Sequence, residues 1–145
     1  METSTIEQLD KSRYKLLKWT TIGWSIWFGA YILKGFIKEP VIINLALAFG
    51  LFGWIIFSIS LIQFFKLKRE LRWNKQMQHA LEDELHLFNL HKSYQIGYSV
   101  VICMTVLFFG LSLYSSISAT IVTELILYFG VLSVLISGLI YNRES

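Results

Sequence analysis

Three histidines, two adjacent acids and one isolated glutamate are the side chains here whose types and spacing could do chemistry. His79, His86 and His91 share one polar stretch with Asp83 and Glu84. His79 and His86 are seven residues apart, which puts them on one helix face but about 10.5 Å apart along its axis. That is too far to share one metal ion. His79 and Asp83 form an i, i+4 pair, which serves either as a weak cation site or as an ordinary pair on a solvated helix. Membrane haem centres use histidines inside the apolar segments, and this sequence has none there. Cys103 and Met104 are adjacent, so on a helix they diverge by about 100° and make no copper site. Cys103 is the single cysteine, which excludes an intramolecular disulfide or a thiol relay. No phosphate-binding glycine loop or Ser-His-Asp set can be assembled. The expectation is a chain with no catalytic residue, no cofactor and no metal.

The elements that must position these groups follow from composition. Apolar residues make up 54% of the 145 residues and charged residues 16%, against about 45–50% and about 25% in ordinary globular proteins. Such a chain cannot coat a water-soluble domain with polar surface, whereas a bilayer removes the need. A membrane-crossing helix needs about 20 mostly apolar residues. Four stretches qualify: Leu16–Ile37, Val41–Phe65, Tyr94–Ser115 and Ala119–Tyr141. Strands with unpaired edges are excluded, because hydrocarbon offers their backbone no hydrogen-bond partner. The expected fold is all-α: a four-helix integral membrane bundle forming one domain over 1–145, with a helical stem over 66–93. Pro40 suits the first turn of the second span, where its missing N–H costs nothing. Ser118 or Thr120 is expected to cap the fourth span, with Glu124 near its positive N-terminal end.

Charge sets the expected orientation. Lys11, Arg13, Lys15, Lys18, Lys66, Lys68, Arg69, Arg72, Lys75, Lys92 and Arg143 flank the spans on one side, and only Lys34 and Lys38 on the other. Basic loops stay in the cytoplasm, so both termini and the stem are expected inside. The first span is not expected to be a cleavable signal, because Glu2, Glu7 and Asp10 accompany its bases and its apolar run is long. Bases beside apolar spans point to phospholipid contact rather than nucleic acid.

Two segments resemble each other. Lys18, Ile22, Gly23, Trp24 and Ser25 match Lys92, Ile96, Gly97, Tyr98 and Ser99 in type and spacing. Leu47, Phe49, Gly50 and Gly53 match Leu127, Phe129, Gly130 and Ser133. Either the letters coincide by chance, or a two-helix hairpin was duplicated with a pseudo-twofold axis along the membrane normal. Helices associate in lipid where small residues let backbones approach. The expected packing positions are Ser25, Gly29, Gly50, Gly53, Ser99, Gly110, Gly130, Ser133 and Ser137, with some of these stripes available to a homo-oligomer. Trp24 and Trp27 lie deep enough to line a ligand pocket, though packing is the simpler use.

Within the stem, Lys66–Trp73 continues the second span past the headgroups, and Asn74-Lys75-Gln76 is the expected turn. Met77, Leu81, Leu85 and Phe88 then form the apolar face of an amphipathic helix. Asp83-Glu84-Leu85, Asn89 and Gly97-Tyr98 resemble a run found before a span in small uncharacterised bacterial membrane proteins of four spans. That resemblance implies a multi-pass protein of a bacterial inner membrane. It brings no activity, and it marks His79, Asp83, Glu84 and Asn89 as a candidate interaction surface. Glu124 is the candidate intramembrane polar site. Two functions stay open: a non-enzymatic scaffold or regulatory protein that docks a membrane or cytoplasmic partner, and a small transporter or channel subunit. The second needs a polar path from Thr21, Ser25, Ser99 and Ser133 to Glu124. A lipid-modifying enzyme using the stem histidines and acids is a third reading.

Overall fold

A computed structural model describes residues 2–73 and 84–142. Four helices account for almost all of them: α1 (Glu2–Phe36), α2 (Pro40–Trp73), α3 (Glu84–Ser112) and α4 (Ala119–Tyr141). No strand occurs among the described residues. Three of the helices are long and apolar enough to cross a membrane, over Pro40–Leu67, Leu87–Ser112 and Ala119–Tyr141. α1 falls short of that measure, because Thr20, Thr21, Gly23, Ser25 and a run of amphipathic tryptophans dilute its aliphatic content. It also begins far earlier than its apolar stretch: its 35 residues rise about 52 Å at 1.5 Å each.

Local chemistry explains the boundaries. α2 starts on Pro40, and the Ile43 N–H closes the first turn onto the Glu39 carbonyl at 3.0 Å, as expected for proline at the first helical position. Ser118 is the N-cap of α4, but its side chain makes no capping bond. Only its carbonyl serves, accepting from the Val122 N–H at 3.1 Å. At the other end of α4, the Asn142 N–H bonds back to the carbonyls of Gly138 and Ile140. The Asn142 amide also donates to Gly138 O at 2.7 Å.

Three extended interfaces order the helices as α2, α1, α4 and α3, so that α1 and α4 are central and α2 and α3 lie at the edges. The expected pseudo-twofold does not describe this arrangement. It would pair α2 with α3 wherever it pairs α1 with α4, and no α2–α3 interface of comparable extent forms.

Glycine sets the α1–α2 contact. A Cβ added at Gly23 would lie 2.6 Å from the Phe57 nitrogen, and one at Gly53 would lie 2.5 Å from the Trp27 nitrogen. Gly50 faces Ala30. The pairs 23 with 57, 27 with 53 and 30 with 50 share one antiparallel register. Continued, that register sets Leu16 beside Phe64 and Phe36 beside Asn44, so α1 runs beside most of the apolar length of α2. In α3 and α4, a Cβ at Gly97 would collide with Val134, and one at Gly130 would come within 2.6 Å of Val101. Between the hairpins, Gly29 meets the Tyr128 hydroxyl, and Gly138 meets both Leu17 of α1 and Ser93 of α3.

Two expected packing positions are corrected. Ser99 is exposed, and a Cβ on Gly110 would meet nothing within 4 Å. Both lie on the side of α3 turned from α4, because the contact face carries Asn89, Ser93, Gly97 and Val101 at four-residue spacing. Gly23, absent from the expected set, makes one of the closest approaches in the structure. Gly53→Leu or Gly23→Leu is therefore expected to cost at least about 1–3 kcal/mol, since backbone cannot yield as a side chain does. Gly110→Leu is expected to be nearly neutral. Thermal unfolding in detergent, followed by circular dichroism, measures both.

Candidate functional site

Among the described residues, the candidates Asn89 and Glu124 lie toward opposite ends of the helices. His79 and Asp83 lie outside the described residues, as do Met77, Leu81 and the turn expected at 74–76. Glu84 is the first residue of α3. Asn89 does not belong to an exposed docking surface: it is 7% exposed, and its amide donates to the Tyr141 carbonyl at 3.2 Å. The last carbonyls of a helix have no partner within it, and Asn89 supplies one from the neighbouring helix. Ser93, one turn further on, is 2% exposed. Its hydroxyl donates to Asn89 O at 2.8 Å, and its own carbonyl accepts from Ser137 Oγ at 3.4 Å. Asn89, Ser93, Ser137 and Tyr141 thus form a polar latch at one end of the α3–α4 hairpin.

Glu124 is half-buried on α4, one turn from Tyr128. Continuing the pairing of Gly29 with Tyr128 sets it level with Leu33, toward the end that carries Lys34 and Lys38. The hydroxyls required for a polar path are committed elsewhere. Thr21 donates to Leu17 O, Ser25 to Thr21 O, Ser99 to Gln95 O and Ser133 to Gly130 O, all at 2.8–2.9 Å. Each bond stays within its own helix, and Ser99 faces outward. Among the described residues, no three His, Cys, Asp or Glu side chains converge as metal ligands.

Where α1, α2 and α4 meet, aromatic rings fill the space. Trp24 stacks on Phe28 at 5.0 Å, Phe28 stacks on Tyr128 at 6.0 Å, and Trp27 and Phe57 close the cluster at 5.6 Å. Trp24 and Trp27 accordingly pack against each other rather than frame a cavity, with ring planes 86° apart. The Trp24 Nε1–H is buried without a hydrogen-bond acceptor. Buried indoles usually find one, and here the ring packs in the aromatic cluster without it.

Two features face outward. Gly138 touches Leu17 and Ser93 at a single level, which collects Lys15 and Lys18 of α1, Lys66 of α2 and Lys92 of α3 at one end of the four helices. The Lys92 ammonium lies 4.7 Å over the Tyr141 ring and 5.6 Å from that of Phe88. From there an open groove of about 400 Å³ runs along α3, lined by Gln95, Ile96, Ser99, Val100, Cys103 and Met104. Sequence reasoning missed the groove. Its residues read as ordinary span residues, and only the packing of α3 on α4 shows which face stays open.

No protein-family model, no curated protein and no solved structure matches the chain. The aromatic cluster and the latch are expected to act on stability rather than activity. Trp24→Phe removes the orphaned donor and keeps the ring, so it should change stability by less than about 1 kcal/mol, whereas Trp24→Ala should cost about 3–5 kcal/mol. Asn89→Ala should cost about 0.5–1.5 kcal/mol. Steric-trap or denaturant titration in detergent distinguishes these values.

Proposed function

We propose that this chain is a small non-enzymatic membrane protein that crosses the bilayer four times and presents its stem to partners in the cytoplasm. The fourth crossing rests on register. α1 lies antiparallel along most of the apolar length of α2, so a bilayer that contains α2 also contains the half of α1 packed on it. The excess Trp and Tyr in α1 then serve as amphipathic packing and interfacial residues. The basic ends collected around Lys15, Lys18, Lys66 and Lys92 support an N-in, C-in orientation, and the resemblance noted above supports a bacterial inner membrane. The two similar glycine-pinned hairpins are consistent with a duplicated unit.

The scaffold or regulatory role rests mainly on how the polar groups between the helices are used. Apart from Ser137, which also reaches the Ser93 carbonyl, their hydroxyls bond to backbone carbonyls of their own helices, and glycine or aromatic contacts fill the remaining space. That arrangement leaves the described hydroxyl protons between the helices engaged rather than available as donors to a solute. What remains for interaction is the basic end and the stem that joins α2 to α3.

Two measurements test the reading. Reporter fusions at residue 75 and at the C-terminus should both report the cytoplasm, and a periplasmic signal at either would overturn the orientation. In-membrane crosslinking should capture a partner that Asp83→Ala/Glu84→Ala releases; recovery of monomer alone, with no phenotype in that variant, would refute docking through the stem. The transporter reading makes a separate prediction. Proteoliposomes would show an ion flux lost in Glu124→Gln, and the scaffold reading expects no flux in either protein.

A further inference from the structure

The groove on α3 has a polarity that runs in one direction. Lys92 is not part of its lining but stands one turn before it toward the basic end, three and four residues ahead of Gln95 and Ile96 and on the same helix face. The ammonium is held there between the rings of Tyr141 and Phe88. Gln95 follows with a side-chain amide. Beyond it the floor is Ile96, Val100 and Met104, and the Ser99 hydroxyl is occupied by the Gln95 carbonyl at 2.9 Å. Cation, amide and then hydrocarbon is the complement of an amphiphile with an acidic head and an apolar tail.

We propose that this groove binds one anionic phospholipid, its phosphate on the Lys92 ammonium and an acyl chain along Ile96, Val100 and Met104. The inference rests on the membrane reading given above. Three observations favour this occupant. The groove runs along the flank of α3 beside its contact with α4, and its Gln95, Ser99 and Cys103 side is exposed, so it opens toward whatever surrounds the helices. Its volume falls within the roughly 300–1,000 Å³ of ligand clefts. Charge separates the lipid from a second copy of the chain. A twofold contact between two parallel α3 helices along this face would set Lys92 near its own counterpart at one depth, where like charges repel. The same ammonium attracts an acidic headgroup in the leaflet on the basic side.

Cys103 lines the groove, is exposed and is the chain's single cysteine, so it reports occupancy without engineering. The full chain is reconstituted into phosphatidylcholine bilayers with a minor fraction of phosphatidylglycerol. Retained lipid is read by native mass spectrometry, and maleimide labelling of Cys103 is followed in parallel. Wild type should retain one phosphatidylglycerol in preference to phosphatidylcholine and should label more slowly when it is present. Lys92→Gln should lower that retention by about fivefold, the worth of one surface lysine toward acidic lipid, and Lys92→Arg should restore it. Tyr141→Leu, which removes the ring and keeps the charge, should retain the lipid. Val100→Trp should expel it by filling the groove with Lys92 in place. Equal retention of both lipids, or retention unchanged in Lys92→Gln and Val100→Trp, would overturn the proposal. A Cys103–Cys103 disulfide formed efficiently in the bilayer would assign the face to a second copy and overturn it too. A chain that reconstitutes fully yet retains no phosphatidylglycerol sinks only the lipid site, whereas one removed from membranes by alkaline carbonate sinks the membrane reading beneath it.

Discussion

Where α1 crosses α2, the Gly23 Cα sits so near the Phe57 backbone that no side chain fits between them, and Gly53 meets Trp27 in the same way. In an apolar solvent, burying one aliphatic side chain against another gains little, so close van der Waals contact must do the holding. Glycine permits it by letting two backbones approach without an intervening Cβ. Between α3 and α4, Gly97 and Gly130 instead make room for the methyls of Val134 and Val101, while Gly29 and Gly138 lie at ordinary contact distance from side chains of the other hairpin. The antiparallel registers, the central position of α1 and the alignment of the basic residues at one end all depend on these contacts.

Close approach leaves little room for polar side chains, and the hydroxyls adapt to it. Serine and threonine at these faces return their protons to the carbonyl one turn earlier, which satisfies the donor without asking anything of the next helix. Ser137 also reaches the Ser93 carbonyl of α3, and the longer Asn89 amide reaches across to the end of α4 and ties off the Tyr141 carbonyl. Trp24 is the opposite case: its ring completes the aromatic junction while its N–H goes without an acceptor. Packing area at that junction outweighs one unmade hydrogen bond, since a large ring contributes more than the about 1–3 kcal/mol such a donor costs.

The linear order of the helices has a further consequence. Because α2 and α3 are edge helices, each keeps a broad face uncovered by the other described residues, and Tyr98 on α3 is 68% exposed. In a closed bundle such faces would be shared. Here they meet the surroundings, and on α3 the uncovered face includes both a groove and the charged residue at its mouth.

The all-helical fold, three of the membrane-compatible spans and the position of Pro40 at the start of α2 could be read from the chain alone. Apolar length, turn residues and proline act within a few neighbouring positions, so local sequence determines them. Gly23 and Gly97 hold matching positions in the two similar segments, but that Gly23 meets backbone and Gly97 a valine methyl was not in the letters. What local pattern could not decide was which face of each helix turns inward. Small residues occur on several faces of α3, and only contact with α4 separates Gly97, which is buried, from Ser99 and Gly110, which are open. Asn89 looked like surface because it is polar and follows the stem; it is interior because the α3–α4 register brings it to the end of another helix. The order α2, α1, α4, α3 was equally hidden, since hairpin sequence specifies neighbours along the chain and leaves the side on which the two hairpins meet to the shapes of Phe28, Gly29, Tyr128 and Gly138.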